Sequence, residues 1–220
     1  MATLQKRMAE IIPGLRDEVK SITKNHGDIK ISDVTIAQAY GGMRGVKAMI
    51  CDTSVVNPDT GLVIRGIPLN ELTEKLPEEI FYLLLTGEMP DKATLKALQK
   101  EYSERAKVPK YVWDVLEAMP KDSHPMVMLD TAILVMEKES EFRKEYDKGM
   151  KKEDYWKPTL EDALNILAKM PVIAAGIYRM RFKKGNRIAP KKDLDWGANY
   201  AHMLGIKDKS GNFAKLCQLY

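Results

Sequence analysis

The feature that most constrains this chain is a succession of apolar residues at helical spacing, cut repeatedly by proline and glycine. "DKATLKALQKEYSERAK" sets Leu95, Leu98, Tyr102 and Ala106 on one helical face, with Asp91 as its N-cap. Upstream, "LQKRMAEIIPGLRDEVKSITKNHG" predicts an amphipathic helix interrupted at Pro13 and closed near Gly27. Asp33 or Thr35 caps a short helix that runs to Tyr40 and stops at Gly41. "PEEIFYLLLTGEMP" and "PKYVWDVLEAMP" are short helices bounded by proline and glycine.

Further on, "HPMVMLDTAILVMEKESEFRKEYDKGMKK" predicts an apolar helix and a charged one joined near Glu139–Ser140. "TLEDALNILAKMPVIAAGIYRMRFKKG" carries a Thr159/Asp162 capping box and a kink at Pro171. "LDWGANYAHMLG" is one more helix. In "GNFAKLCQLY", Phe213, Leu216, Cys217 and Tyr220 recur at i, i+3, i+4 and i+7, the pattern of a buried face. That last helix ends on an apolar position without a cap, as if the chain were the front part of something longer. Strand signals occur in one place, where "VKAMICD" and "LVIRG" flank the turn "NPDTG". The expectation is an all-α fold with one small β-hairpin near its N-terminal end, and no internal repeat.

Charge narrows the function classes. The 35 Lys+Arg against 31 Asp+Glu leave a net charge of only +4, which is no nucleic-acid footprint. One run, "RMRFKKGNRIAPKK", is locally basic with a single aromatic, Phe182. It reads as a helix C-terminus whose cations complement the macrodipole, followed by a basic loop, ahead of a polyanion site. "MVMLDTAILVM" carries Asp130 and falls short of the roughly 20 residues a membrane span needs. Cys51 and Cys217 match no metal or redox spacing and read as two small buried hydrophobes in a reducing compartment. The N-terminus has neither a secretory core nor an acid-poor transit pattern, so the cytoplasm is expected.

No catalytic set stands out. Gly41, Gly42 and Gly45 do not match a Walker loop or a dinucleotide fingerprint, although Arg44 among them is free to meet an anion as a forked donor. His26, His124 and His202 have no second histidine, metal-spaced carboxylate or nucleophile beside them, and structural roles suit all three. The 13 methionines read as adaptable core filler.

Taken together, "YGGMRG", "TSVVNPDTGLVIRG", "LPEEIFYLLLTGEMP", "SHPM", "DYW", the helix to "IYRMRF" and "LDWGANYAHMLG" resemble, in order and spacing, the N-terminal half of citrate synthases. The resemblance covers nearly all 220 residues and is nearest to the type found in mitochondria and some bacteria. It implies an all-helical homodimer with large and small domains, residues 1–220 forming the N-terminal part of the large domain. It implies condensation of acetyl-CoA with oxaloacetate and hydrolysis of citryl-CoA, by acid–base groups in a closed cleft and with no permanently bound cofactor. The family's catalytic residues belong to an H-E-G-G-N segment, a G-P-L-H-G segment and later motifs, none of which this chain contains. No catalytic residue is therefore assigned, and this stretch alone is expected to be inactive.

Two residues carry over by resemblance. Arg44 matches an arginine that helps bind a coenzyme A phosphate in the family. Lys152 occupies a position where a relative has a second phosphate-binding arginine, contributed across the dimer; lysine keeps the charge but loses the fork. If a transit peptide has been removed, the resemblance implies the mitochondrial matrix. A 2-methylcitrate synthase acting on propionyl-CoA would share these motifs. A stand-alone, non-catalytic binding module is the other alternative.

Overall fold

The computed structural model describes residues 3–219 and is built around its longest apolar helix. In chain order the helices are α1 (Thr3–His26), α2 (Ile36–Tyr40), α3 (Leu69–Leu72), α4 (Pro77–Thr86), α5 (Lys92–Arg105), α6 (Lys110–Ala118), α7 (Pro125–Val135), α8 (Glu141–Asp147), α9 (Trp156–Arg181), α10 (Trp196–Leu204) and α11 (Asn212–Leu219). Short 3₁₀ turns, Met136–Glu139 and Lys152–Asp154, lead into α8 and α9.

Helix α9 buries Leu160, Leu164 and Ala168 in its first half, then Pro171, Ile173, Ala175, Gly176 and Ile177. In the second half these residues point nearly all round the helix, as a central helix requires. One core joins Val112, Trp113 and Leu116 of α6 to Met128 and Ala132 of α7 and to Ile173 and Ile177 of α9. A second joins Leu4 of α1, Tyr82 of α4, and Leu98 and Tyr102 of α5 to the first half of α9. Leu164, in this second core, is fully buried, so truncation to alanine would cost about 2–5 kcal/mol. Met203 and Leu204 of α10 close the other side against Ala175.

Helix starts follow local chemistry. Asp91 Oδ1 accepts the Thr94 N–H at 2.7 Å, and Asp195 Oδ1 accepts that of Ala198 at 2.8 Å. Thr35 and Gln38 exchange hydrogen bonds in a capping box at α2. Ser140, at the predicted joint, caps α8 through the Arg143 N–H at 3.1 Å. Gly87 ends α4 in the left-handed conformation, at φ 80°.

Five expectations need correction. The first strand is β1 (Ser54–Asn57), not 46–52; it pairs with β2 (Gly61–Ile64), which pairs with β3 (Ile67–Pro68), all antiparallel. The turn decides this. Asn57 Oδ1 accepts from the Asp59 and Thr60 N–H groups at 2.8 and 3.2 Å, so Asn57 faces Gly61 and the register runs back only to Ser54. Met49 and Ile50 are left exposed in irregular chain.

The capping box at Thr159/Asp162 does not form, because α9 begins upstream with Pro158 in its first turn, where a missing N–H costs little. Thr159 instead donates to the Tyr155 carbonyl, and Asp162 caps the neighbouring α8: it accepts from Ser140 Oγ, the Glu141 N–H and the Phe142 N–H at 2.6–3.0 Å. Helix α1 runs uninterrupted through Pro13, whose missing N–H removes one rung.

The face expected to be buried on α11 is not: Leu216 and Leu219 are 51% and 60% exposed, and Tyr220 lies outside the described residues. Only the partly buried Phe213 joins the α10 core. The cysteines are not buried hydrophobes either, since Cys51 is exposed and Cys217 partly so.

Candidate functional site

Arg44 sits in the loop between α2 and β1, where Gly42, Met43 and Gly45 take φ of 75°, 62° and 76°. Three left-handed residues in four make a tight coil. It is tied by the Met43 N–H on the Gln38 carbonyl at 2.7 Å and by Gln38 Nε2 on the Arg44 carbonyl at 3.4 Å. Glycine at two of those positions is what lets the chain fold this way. The backbone around Arg44 is therefore held while its side chain is exposed, with no ion pair or hydrogen bond among the described residues. An arginine so presented is available to an anionic group.

Lys152 opens the 3₁₀ turn ahead of α9, also exposed and without an ion-pair partner among the described residues. Its neighbour Asp154 is engaged with Lys157 at 2.7 Å, which holds that carboxyl below its usual range. Arg44 and Lys152 belong to different segments, and neither lines the hollows below.

The basic run after α9 is mostly committed to the fold. Arg179 donates to the carbonyls of Asn186 at 2.6 Å, Leu204 at 2.9 Å and Lys184, pinning the end of α9 to the loop and to α10. Arg181 donates to the Ser123 carbonyl at 3.0 Å. Arg187 pairs with Glu117 at 2.8 Å and lies 4.4 Å from the Trp113 ring centroid. Lysines 183, 184, 191 and 192 remain exposed. The histidines take local roles: His124 Nδ1 caps α7 by accepting the Met126 N–H at 3.2 Å, while His26 and His202 lie in the last turns of α1 and α10. No cluster of three or more metal-ligating side chains occurs among the described residues.

Two hollows and one buried acid escape a reading of the sequence. A cleft of about 1080 Å³ between α5 and the loop before α10 is lined by Lys96, Lys100, Lys192 and Asp193 over an apolar floor. A smaller hollow of about 260 Å³ between the end of α7 and α9 holds Lys169, whose ammonium is pushed down by burial. Glu78, 1% exposed at the start of α4, accepts the Trp196 N–H at 2.8 Å. Its position in "LPEE" reads as an ordinary acidic first turn, and only the packing of α10 over it shows otherwise.

A central helix packed against shorter ones, with a small three-stranded sheet, defines an all-helical protein of the multi-helical kind. A family model described as citrate synthase, C-terminal domain, matches residues 42–220. The chain belongs to the citrate synthase family. It is 42% identical, over 99% of its length, to the mitochondrial citrate synthase of Saccharomyces cerevisiae, covering 47% of that protein. It is 40% identical, again over 99%, to the mitochondrial 2-methylcitrate synthase of Yarrowia lipolytica, covering 49% of it. The chain thus spans about half the length of the curated relatives it matches. The crystal structure of citrate synthase from Pyrobaculum aerophilum superposes on 82% of the chain and 45% of its own, with a TM-score of 0.71 at 24% identity, a likeness of fold. No helix among the described residues is long and apolar enough to cross a membrane.

Proposed function

We propose that this chain is the N-terminal part of the large domain of a citrate synthase, the enzyme that condenses acetyl-CoA with oxaloacetate and water to citrate and CoA. In this reading it supplies framework and coenzyme A phosphate contacts, while the acid–base residues come from the segments its motifs precede. The observation that carries the reading is Arg44: an unpaired guanidinium on a backbone held by three left-handed residues, at the position the family uses for a phosphate. Lys152 is the second, weaker phosphate contact, and the complete protein is a homodimer with no permanently bound cofactor. The exposed apolar residues Ile29, Ile31, Ile36, Met49 and Ile50 favour such an assembly. The protein works in the cytoplasm, or in the mitochondrial matrix where a leader has been cleaved.

In the complete enzyme, Arg44→Ala should raise the KM for acetyl-CoA about 10- to 100-fold, the worth of one charged hydrogen bond, and leave that for oxaloacetate nearly unchanged. Equal effects on both substrates would remove the phosphate assignment. The near-equal likeness to a protein named 2-methylcitrate synthase supports a second reading, with propionyl-CoA as the acyl donor. The ratio of kcat/KM for acetyl-CoA and propionyl-CoA separates the two.

A further inference from the structure

Glu78 is the most deeply buried ionisable acid or base among the described residues, and the arrangement around it is unusual for a carboxylate. Its Oε1 accepts the Trp196 N–H at the start of α10, but its Oε2 is buried with no hydrogen-bond partner among the described residues. A cavity of about 30 Å³ adjoins it, also bordered by Gln99, Tyr102, Ser103 and Asn199. No lysine or arginine pairs with it among the described residues; Lys96, Lys100 and Lys192 line the open cleft on the outer side. What faces it from α5 is Gln99 and Tyr102, from α9 the apolar Ala168, Pro171 and Val172, and from the α10 cap the carboxyl of Asp195.

Asp195 is itself committed. Its Oδ1 caps α10 through the Ala198 N–H, and its Oδ2 accepts from Gln218 Nε2 of α11 at 2.8 Å. The negative charge at this helix start therefore belongs to Asp195, and a second charge on Glu78 would repel it in a dry site. The α10 N-terminus favours a nearby anion, but that gain is smaller than the cost of burying a carboxylate with one oxygen unpaired. Burial outweighs the Trp196 N–H, which favours the anion, and with a lesser push from the charge of Asp195 it holds the Glu78 carboxyl above its ordinary value.

We propose that the proton on Glu78 is a latch: protonated, Glu78 holds the start of α10 against α4, and its loss loosens α10 together with α11. The sign follows from linkage. An opened α10 exposes Glu78 to water, where it ionises near its ordinary value of 4.5, whereas the closed form keeps the proton to higher pH. Between those two midpoints the opening equilibrium rises about tenfold per pH unit; above the upper one it levels off. Helix α11 follows because it is joined to α10 through Asp195–Gln218 and packs against Gly197, where a Cβ would lie 2.9 Å from the Cys217 carbonyl.

The test uses the full chain labelled with ¹³C at the glutamate side-chain carboxyls, with the Glu78 resonance assigned through bonds and titrated from pH 4 to 9. In parallel, amide exchange in α10 and α11 is followed over the same range and corrected for intrinsic rates. The expected result is a Glu78 midpoint above 4.5, protection at Asn199–Leu204 that falls about tenfold per pH unit up to that midpoint, and a flat profile in Glu78→Gln. A midpoint at or below 4.5, or the same pH dependence in Glu78→Gln, overturns the latch. If Glu78→Gln does not fold, the wild-type carboxyl titration decides by itself.

Discussion

Cys51 shows how little sequence is needed to change a side chain's chemistry. The Thr53 hydroxyl lies 3.3 Å from its sulfur, and hydrogen bonding from that hydroxyl first, then from the Ser54 and Thr53 backbone, brings the exposed thiol down to about 7. Cys217 moves the other way, raised by burial and then by Asp208. Alkylation by iodoacetamide should therefore find Cys51 first, with a rate that climbs through about pH 7 as the thiolate forms. Thr53→Val should move that midpoint up; an unchanged profile would assign the effect to the backbone alone. Gly176 is a second residue with a sharp consequence. A Cβ there would stand 2.7 Å from the Trp113 ring and 3.3 Å from Arg187 Cδ, and Arg187 in turn lies over that ring. Gly176→Ala should cost about 1–3 kcal/mol, read as a Tm several degrees lower in thermal unfolding.

Among the elements, α8 depends most on a side chain from elsewhere. Asp162 of α9 receives both the Ser140 hydroxyl and the first two N–H groups of α8, groups that a seven-residue helix cannot satisfy internally. Asp162→Ala should destabilise the protein by about 1–2 kcal/mol, with amide exchange accelerated in α8 and unchanged in the middle of α9. Asp162→Asn, which retains one acceptor oxygen, should fall between. The starts of α2 and α5 were legible because their caps are local: Thr35 and Asp91 each bond a backbone N–H three residues on. The start of α9 was not, because Asp162 makes the same kind of bond to a helix twenty residues away in sequence, which spacing cannot reveal. The first strand was misplaced for a related reason: a run of β-formers marks strand propensity, but the Asn57 side chain inside the turn sets which residues pair.

For the whole molecule, the apolar surface is unevenly distributed. Ile29, Ile31, Ile36, Tyr40, Met49, Ile50, Val55 and Val56 are all more than half exposed along one continuous stretch, and Leu216 and Leu219 are exposed on α11. Surface of that kind marks places that other protein covers. Two outcomes are expected for the chain expressed alone. It should bind a hydrophobic dye while keeping its helical circular dichroism, and, on the proposed reading, it should release no free CoA from acetyl-CoA and oxaloacetate. Measurable turnover would mean that the chemistry resides in side chains read here as structural, with Glu78 and Lys169 the first to exchange.

By itself the sequence determined the helical class, the helix boundaries set by local caps, the place of the hairpin turn and the family, because each rests on interactions within a few residues or on motif order. Arg44 as a candidate site residue rests on the resemblance of its motif, and on that alone. The tertiary structure alone decided that Glu78 is buried beneath α10, that Arg179 and Arg187 are spent on carbonyls and on Trp113, and that α11 turns an apolar face outward. The physical reason is that burial and long-range hydrogen bonding depend on which elements meet, and a glutamate in a helix's first turn looks the same in sequence whether water or another helix lies above it.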